Sequence, residues 1–238
     1  MTKLLVCIPA IYRADILDEA LKSVVHREGV EVLACSNGGT RDIVGMIKHY
    51  ELNEGIKAWY LHNNIYVNPI WNEFIDYFLQ ESDADYLCIM NSDLELCNKW
   101  DTILKNRWKE SPDEVILPII TDNKEVLRDA AVPVSVQPAD VVNIGTPGVF
   151  ITLNRKQAEL VYPIPDNLKL WFGDDWIFGI LRGLGFETVI PSNFIARHQS
   201  STSVGMLPER DGLILKDKRA WSHEVEQLML NRIKELKK

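Results

Sequence analysis

Along the first half of the chain, short apolar runs alternate with polar stretches that repeat apolar residues at helical spacing. The runs lie at residues 4–10, 30–37, 56–62, 86–93 and 115–120, and the helical patterns lie at residues 14–27, 40–50, 69–80 and 99–110. Strands that are apolar throughout are typical of a parallel sheet that helices cover on both faces. The pattern therefore predicts a doubly wound, Rossmann-like α/β half with right-handed crossovers. Thr40 is the predicted N-cap of the second helix, and Pro69 falls in the first turn of the third.

The second half of the chain loses this alternation. Residues 131–154 are rich in Pro and Val and end in a strand pattern, and residues 155–162 have the spacing of a short helix. Residues 171–187 begin as a loop that carries two Asp residues and continue as a helix, which a strand at 188–198 follows. A last helix near residues 219–236 carries an apolar stripe. We expect this stripe to pack on the domain, with a partner groove as the alternative.

Composition narrows the possible functions. The 238 residues carry a net charge of -8, which argues against a non-specific nucleic-acid coat protein because such binding depends on Lys and Arg. No apolar run approaches the roughly 18 residues of a membrane span, and the N-terminus lacks the apolar region of a signal peptide. Cys7, Cys35, Cys88 and Cys97 have no zinc-type spacing, so we expect buried free thiols and a cytoplasmic location. The glycine motifs of nicotinamide dehydrogenases and P-loop ATPases are missing.

Polar residues follow each predicted strand, at the edge where parallel sheets bind ligands. They lie at residues 9–13, 36–40, 62–64 and 91–95. The needs of a turn explain the Gly and Asn residues among them, but explain less well why an apolar strand is followed at once by Asn91, Ser92 and Asp93. The carboxylate of Asp93, with Asn91 and Glu95 nearby, supplies the hard oxygen ligands that suit Mg²⁺ or Mn²⁺.

A second acidic pair, Asp174 and Asp175, lies among the aromatic residues Trp171, Phe172 and Trp176. Adjacent acids ahead of a helix can simply cap it and favour its N-terminal dipole. Alternatively, partial burial and an acidic neighbour raise the pKa of one carboxyl, which then acts as a general base beside an aromatic platform.

In their order and spacing, these segments resemble GT-A-fold glycosyltransferases of the family-2-like group. The segments that carry the resemblance are IPAIYRADILDEALKSV, EVLACSNGGTRD, YLCIMNSDLEL, GVFITLNRK and FGDDWIFGILRGLGF. Asn64 and Asn72 match the paired-Asn segment at the start of the third helix, and His198 falls where many members carry a metal-binding His. Three positions differ: Ser36 and Asn91 stand where an Asp is frequent, and Tyr66 stands where a Gly is frequent.

The resemblance implies a role for each matching position. Asp93 and His198 would hold Mn²⁺ or Mg²⁺ and, through it, the donor diphosphate. Asp175 would be the catalytic base, with Asp174 orienting the acceptor hydroxyls. Trp171 and Trp176 would contact the acceptor. The nucleotide-sugar pocket would include Pro9, Ala10, Tyr12, Arg13, Ser36, Asn37, Asn64, Asn72, Asn91 and Ser92.

The implied fold is α/β of the GT-A type, with a mainly parallel central sheet and a C-terminal helical tail. The implied domain spans residues 1–205, with a nucleotide-sugar half at 1–122 and an acceptor half at 123–205, and residues 206–238 form the extension. The implied activity is metal-dependent transfer of a hexosyl or pentosyl group from a nucleoside-diphosphate sugar, with inversion, to a glycan, small-molecule, protein or modified-DNA hydroxyl. Transfer to hydroxymethylated bases of viral DNA, a nucleotidyltransferase and a non-catalytic sugar-binding descendant of the fold remain as alternatives, and a retaining mechanism also stays open.

Overall fold

A computed structural model describes residues 1–129, 139–141, 148–199 and 205–238. The strands are β1 (Leu4–Ala10), β2 (Val30–Asn37), β3 (Lys57–Leu61), β4 (Tyr86–Met90), β5 (Leu94–Leu96), β6 (Val115–Ile116), β7 (Ile119–Thr121), β8 (Ala139–Val141), β9 (Phe150–Asn154), β10 (Thr188–Pro191) and β11 (Ile195–His198). The helices are α1 (Ala14–Val24), α2 (Arg41–Glu54), α3 (Val67–Gln80), α4 (Trp100–Glu110), α5 (Lys124–Asp129), α6 (Arg155–Val161), α7 (Gly173–Gly183), α8 (Arg210–Ala220) and α9 (Glu226–Leu236), and a π-helical turn (Trp221–Val225) joins the last two.

The central sheet has the strand order β3-β2-β1-β4-β9, and only β9 runs antiparallel to its neighbour. Helices α1, α2 and α4 cover one face, and α3, α6 and α7 cover the other. Successive residues of β1 therefore enter opposite cores: Val6 and Ile8 pack on one side, Leu5 and Cys7 on the other. This double burial explains why the strands are apolar throughout and confirms the predicted sheet.

Two smaller sheets lie outside the central one, and β6 of the first contacts β9, where the N–H of Ile116 donates to the hydroxyl of Thr152 at 2.8 Å. Their strand orders are β6-β10-β8 and β5-β11-β7. The predicted strand at 115–120 is two strands, because Pro118 has no N–H to donate to a ladder. The predicted strand at 188–198 is also two strands, because the chain turns between them, where the N–H of Phe194 donates to the carbonyl of Pro191 at 3.1 Å. Strand β5 was not predicted: it lies directly after the predicted strand at 86–93, where only the exit of that strand was expected.

The helix limits follow local capping chemistry. Thr40 caps α2, as predicted, with its hydroxyl accepting from the N–H of Ile43 at 3.4 Å. The prediction of a loop at the acidic pair is wrong: α7 starts at Gly173, so both Asp residues lie in its first turn. The Pro- and Val-rich stretch lies outside the described residues, except for 139–141 and the part from 148 onwards.

The C-terminal helical segment begins at Arg210, nine residues earlier than the predicted helix near 219–236. Met229 and Ile233 pack against α7 where Gly179 and Gly183 leave no side chain in the way. Leu228, expected in the same stripe, is 51 % exposed. Within the described residues, no helix combines the length and the apolar composition that crossing a lipid bilayer requires. The proposed division at residues 205 and 206 stays a prediction.

All four cysteines are buried free thiols, as the sequence predicts. Burial raises the pKa of Cys35 to about 12, so its thiol is protonated and unreactive at neutral pH.

Candidate functional site

A cleft of about 350 Å³ opens at the carboxyl edge of the central sheet. Its walls include the ends of β1, β2, β4 and β11, the loop before α3 and the start of α3, the 170–172 loop with the first turn of α7, and Leu207 of the C-terminal segment. Eleven of the residues predicted for the site line it: Pro9, Ala10, Asn37, Asn64, Asn91, Ser92, Asp93, Trp171, Asp174, Asp175 and His198. Asp93, predicted to bind the metal, therefore lines the same cavity as Asp174 and Asp175, the acidic pair predicted for the acceptor side. About 80 residues of chain separate Asp93 from this pair.

Asp93 and His198 lie side by side at this edge. Strand β11 pairs antiparallel with β5, which places His198 opposite Leu94 and therefore next to Asp93. The Nε2 atom of His198 is 3.2 Å from Oδ1 of Asp93, and their side chains are 16 % and 9 % exposed. The N–H of Gln199 donates to the carbonyl of Asp93 at 3.0 Å, which continues the ladder past the pair.

The chemistry of this pair fits a divalent cation with few protein ligands. A carboxylate oxygen and an imidazole nitrogen are both accepted by Mn²⁺, and Asn91 adds an amide oxygen on the same wall. Within the described part of the chain, no group of three or more His, Cys, Asp or Glu side chains converges on a possible metal position. A cation here would take its remaining ligands from water and from phosphate oxygens.

Glu95, which the sequence suggests as a further oxygen ligand, has a different partner. Its Oε2 lies 3.0 Å from Nε of Arg197, directly across the β5–β11 pair. Arg197 also forms an ion pair with Glu19 of α1, and Gln199 donates to the same Glu19 carboxylate at 2.7 Å. This network fixes β11 against α1 and β5, so we assign Glu95 a supporting role rather than metal binding.

The two acids at the start of α7 differ in their surroundings. Asp174 accepts from the N–H of Gly148 at 3.0 Å and from the N–H of Asp175 at 3.1 Å. A Cβ atom on Gly148 would lie 2.7 Å from the Cβ of Asp174, so this approach requires glycine. Asp175 is exposed at the mouth of the cleft. The backbone thus holds Asp174 in place, whereas the Asp175 carboxylate can face a substrate.

Both carboxyl groups have a raised pKa. Burial raises the pKa of Asp174 most, the charge of Asp175 adds to it, and the backbone hydrogen bonds oppose it. Partial desolvation raises the pKa of Asp175, and the positive charge of Arg182 opposes that rise. A raised pKa makes a carboxylate a stronger proton acceptor at neutral pH, which is the property a general base needs.

The two tryptophans predicted for the acceptor site lie in different places. Trp171 is 40 % exposed and lines the cleft, with Nζ of Lys218 5.3 Å from its ring centroid. Trp176 is 1 % exposed, and its Nε1 donates to the carbonyl of Val161 at 2.8 Å. The assignment of Trp176 to the acceptor site is therefore corrected: at this position the helix faces the core.

Three residues predicted for the nucleotide pocket are not brought to the cleft in the described structure. Arg13 forms an exposed ion pair with Asp15 at 2.8 Å. Ser36 is 1 % exposed, and a Cβ atom on Gly39 would lie only 2.8 Å from its hydroxyl. The side-chain amide of Asn72 makes two hydrogen bonds to Ile164: its Nδ2 donates to the carbonyl of Ile164, and its Oδ1 accepts from the N–H of Ile164, both at 2.8 Å. Of the three, Asn72 links distant segments of the framework, whereas Arg13 bonds to a neighbour in its own helix start.

Tyr12, the fourth such residue, packs beside the cleft in a small apolar cluster. Its neighbours there are Leu170, Leu207 and Leu213. Tyr12 thus backs the wall that Leu170 and Leu207 present to the cavity.

The loop before α3 is shaped by two asparagines, Asn37 at the end of β2 and Asn64 in the loop itself. Asn37 accepts from the N–H of Ile65 at 2.9 Å and donates to the carbonyl of Tyr66 at 3.1 Å. Asn64 accepts from the N–H of Tyr66 at 2.8 Å. Together they hold Tyr66 at φ 70°, a left-handed conformation that favours glycine and strains a tyrosine. The Tyr66 hydroxyl donates to Glu209 at 3.2 Å, so this aromatic residue ties the loop to the C-terminal segment.

Sequence reasoning missed two buried polar residues, Asn68 and Asp217, which are 1 % and 0 % exposed. Both bind the backbone of the loop that carries Trp171. A signal for Asp217 was present: it lies four residues after the buried Leu213 on the apolar face of α8, where an acid is out of pattern.

Comparisons with known proteins agree with this geometry. The sequence model of Glycosyl transferase family 2 matches residues 5–140, more than half of the chain. Among curated proteins, none matches the sequence significantly. One similar structure is GalNAc-T7 crystallised with UDP, GalNAc and Mn²⁺, at 11 % identity and a TM-score of 0.64 over 92 % of this chain and 49 % of that one. Another is TarS 1–349 of S. aureus, at 13 % identity and a TM-score of 0.63 over 94 % of this chain and 73 % of that one.

At these identities the likeness shows the fold, which confirms the predicted GT-A architecture. The chain spans about half the length of the GalNAc-T7 chain.

Proposed function

Because the chain belongs to glycosyl transferase family 2, we propose that it transfers a sugar from a nucleoside-diphosphate sugar to an acceptor hydroxyl with the help of Mn²⁺ or Mg²⁺. The observation that carries this proposal is the single cleft in which the Asp93–His198 pair and the Asp174–Asp175 pair meet. The GalNAc-T7 neighbour, crystallised with UDP, GalNAc and Mn²⁺, supports the same class of donor and metal. The donor sugar, hexosyl or pentosyl, is left open, and a cytoplasmic location stays a prediction.

On the donor side, Asp93 and His198 would hold the cation, which offsets the charge of the leaving diphosphate when it is bound. Pro9 and Ala10, at the end of β1, and Asn37, at the end of β2, would form the floor under the nucleotide. Since β1 and β2 are neighbours in the sheet, these residues provide one continuous surface.

On the acceptor side, Asp175 would take the proton of the attacking hydroxyl. The acceptor oxygen forms a bond to the anomeric carbon while the bond from that carbon to the phosphate oxygen breaks, and the nucleoside diphosphate leaves with the electron pair. The base and the leaving group then act on opposite faces of the sugar, so the configuration inverts. Asp174 would orient acceptor hydroxyls, and Trp171 would offer its exposed ring to the apolar face of the acceptor.

The test is donor turnover. The purified protein is incubated with Mn²⁺ and a panel of UDP-, GDP- and dTDP-sugars. Release of the nucleoside diphosphate is measured with water as acceptor and then with an acceptor panel. We expect release from at least one donor, abolished by EDTA and by Asp93→Asn but not by the matched control Asp122→Asn, which changes an exposed acid. Absence of release with every donor, together with absence of nucleotide binding, would leave a non-catalytic descendant of the fold as the better account.

A further inference from the structure

A fully buried carboxylate in the C-terminal segment binds the loop that leads to the catalytic acids. Asp217 of α8 is 0 % exposed. Its Oδ1 accepts from the N–H of Lys169 at 3.0 Å, and its Oδ2 accepts from the N–H of Leu170 at 2.7 Å and of Trp171 at 2.9 Å. A single side chain therefore satisfies three consecutive backbone donors, with charge-assisted hydrogen bonds that are stronger than neutral ones.

The other side of the same loop is held by α3. The N–H of Asn68 donates to the carbonyl of Lys169 at 3.0 Å, and its Nδ2 donates to the carbonyl of Trp171 at 2.9 Å. The N–H groups of the loop thus point to Asp217 while carbonyls point to Asn68. The loop is fixed from both sides by groups that lie outside it.

The first turn of α7 comes directly after this loop in the chain. Phe172 adopts a left-handed conformation at φ 65°, and the helix starts at the next residue. Gly173 is there because a Cβ atom would overlap the side chain of Asn68. Asp174 and Asp175 come next, so any shift of the loop is passed directly to the acid that would act as base.

We propose that Asp217 is a positioning residue of the acceptor side: through the 169–171 loop it sets the orientation of Trp171 and of Asp175. This proposal rests on the proposed glycosyltransferase activity. Asp217 contacts no reacting atom, and it makes α8 part of the acceptor wall rather than an appended tail.

The chemistry requires a carboxylate at this position. Asparagine keeps the shape but has one oxygen, so its NH₂ group would face at least one N–H donor of the loop. Alanine leaves all the donors without this partner in a buried place, where unsatisfied N–H groups are unfavourable.

The experiment compares Asp217→Asn and Asp217→Ala with the control Asp211→Asn, the same change at a site on the same helix whose side chain is 89 % exposed. Hydrolysis of the UDP-, GDP- and dTDP-sugar panel by water in the presence of Mn²⁺ gives kcat and the KM for the donor. Hydrogen exchange measured on the same proteins reports the amides of residues 169–171.

We expect kcat to fall roughly tenfold to a hundredfold in both Asp217 variants, the larger loss being in Asp217→Ala, because small misplacements of a catalytic group have effects of this size. The donor KM should stay unchanged, and exchange at 169–171 should accelerate. Asp211→Asn should behave as wild type. Asp217→Asn is the variant expected to stay folded if Asp217→Ala does not.

Unchanged kcat in Asp217→Asn, with exchange accelerated, would overturn the positioning role, since the loop would have moved without effect on the chemistry. A donor KM that rises in parallel with the loss of kcat would also overturn it, because the damage would then extend to the whole cleft. A wild-type protein that hydrolyses no donor would instead overturn the proposed function itself, which the wild-type measurement alone reveals.

Discussion

The two edges of the cleft are held in different ways. At the edge with Asp93 and His198, the metal edge, backbone hydrogen bonds pair β5 with β11 and bring the two residues together. At the edge with Asp174 and Asp175, the acceptor edge, the acids follow a loop that the side chains of Asp217 and Asn68 hold. A ladder distributes its support over several backbone groups that any sequence provides. A loop that two side chains hold by hydrogen bonds loses much of this support when one of them is substituted. We therefore expect the metal edge to tolerate changes around its ligands, and the acceptor edge to be sensitive to changes well away from its acids.

The largest effect should come from the base itself. Asp175→Asn keeps the shape of the side chain but cannot accept the proton, so kcat for donor turnover should fall by roughly 10²–10⁴, the usual contribution of a general base. The donor KM should hardly change, since the proposed donor site lies at the opposite edge. Near-normal turnover in this variant, or a product that keeps the configuration of the donor, would rule out the inverting mechanism.

A substitution at Gly173 should show that the acceptor edge depends on close packing. The new Cβ of Gly173→Ala would overlap Asn68, whose amide is already bonded to the loop, so we expect a loss of about 1–3 kcal/mol in the free energy of unfolding. Gly212→Ala in α8 is the matched control: its Cβ meets nothing within 4 Å, so stability should rise by about 0.5–1 kcal/mol. Chemical denaturation measures both, and equal effects would contradict the close approach described here.

The pH dependence offers a finer probe of Asp175. Its pKa is raised by desolvation, and Arg182 opposes the rise, so removing that positive charge raises the pKa further. The base works in its charged form, so activity is lost as pH falls through this pKa. The acid limb of the kcat–pH profile of Arg182→Gln should therefore move to higher pH than that of wild type. An acid limb that keeps the wild-type position or moves to lower pH would mean that a group other than Asp175 determines the loss of activity at low pH.

The smallest effect is expected at the metal edge. Glu19→Gln weakens the network of Arg197, Lys124 and Gln199 behind β11, but the ladder remains. Because Glu19 is about a third exposed, the stability change should stay within about 1 kcal/mol. Nucleotide affinity in Mn²⁺, measured by calorimetry, should match wild type. A large loss would show that ion pairs, not backbone pairing, place His198.

The sequence allowed the central sheet and the sites at its edge to be predicted, because doubly buried strands are apolar throughout and parallel strands end on the same side. The residues around Asp93, Asp174 and Asp175 singled these three out, and the structure brings them into one cleft, while their roles stay predictions. The pairing of β5 with β11 could not be predicted from the sequence. These strands have only three and four residues and lie about 100 residues apart, so neither shows a recognisable hydrophobic periodicity.

The errors at the site have two origins, side-chain direction and contacts between residues far apart in sequence. Trp176 and Asp175 are neighbours in sequence, but consecutive helical residues point about 100° apart, so one faces the core and the other the cleft. The role of Asp217 depends on a contact with residues 46 to 48 positions earlier, which no local spacing reveals.

The proposed activity depends on a cation that the Asp93–His198 pair would hold and that would bind the nucleoside diphosphate. Isothermal titration of wild-type protein with UDP and with GDP, each in Mn²⁺ and in EDTA, tests it most directly, with Asp93→Asn and His198→Gln beside the control Asp122→Asn. We expect Mn²⁺ to strengthen binding of one nucleotide by roughly tenfold or more, about 1.4 kcal/mol, in wild type and in the control, and both site variants to lose this gain. Equal affinity in Mn²⁺ and in EDTA for wild-type protein would contradict it.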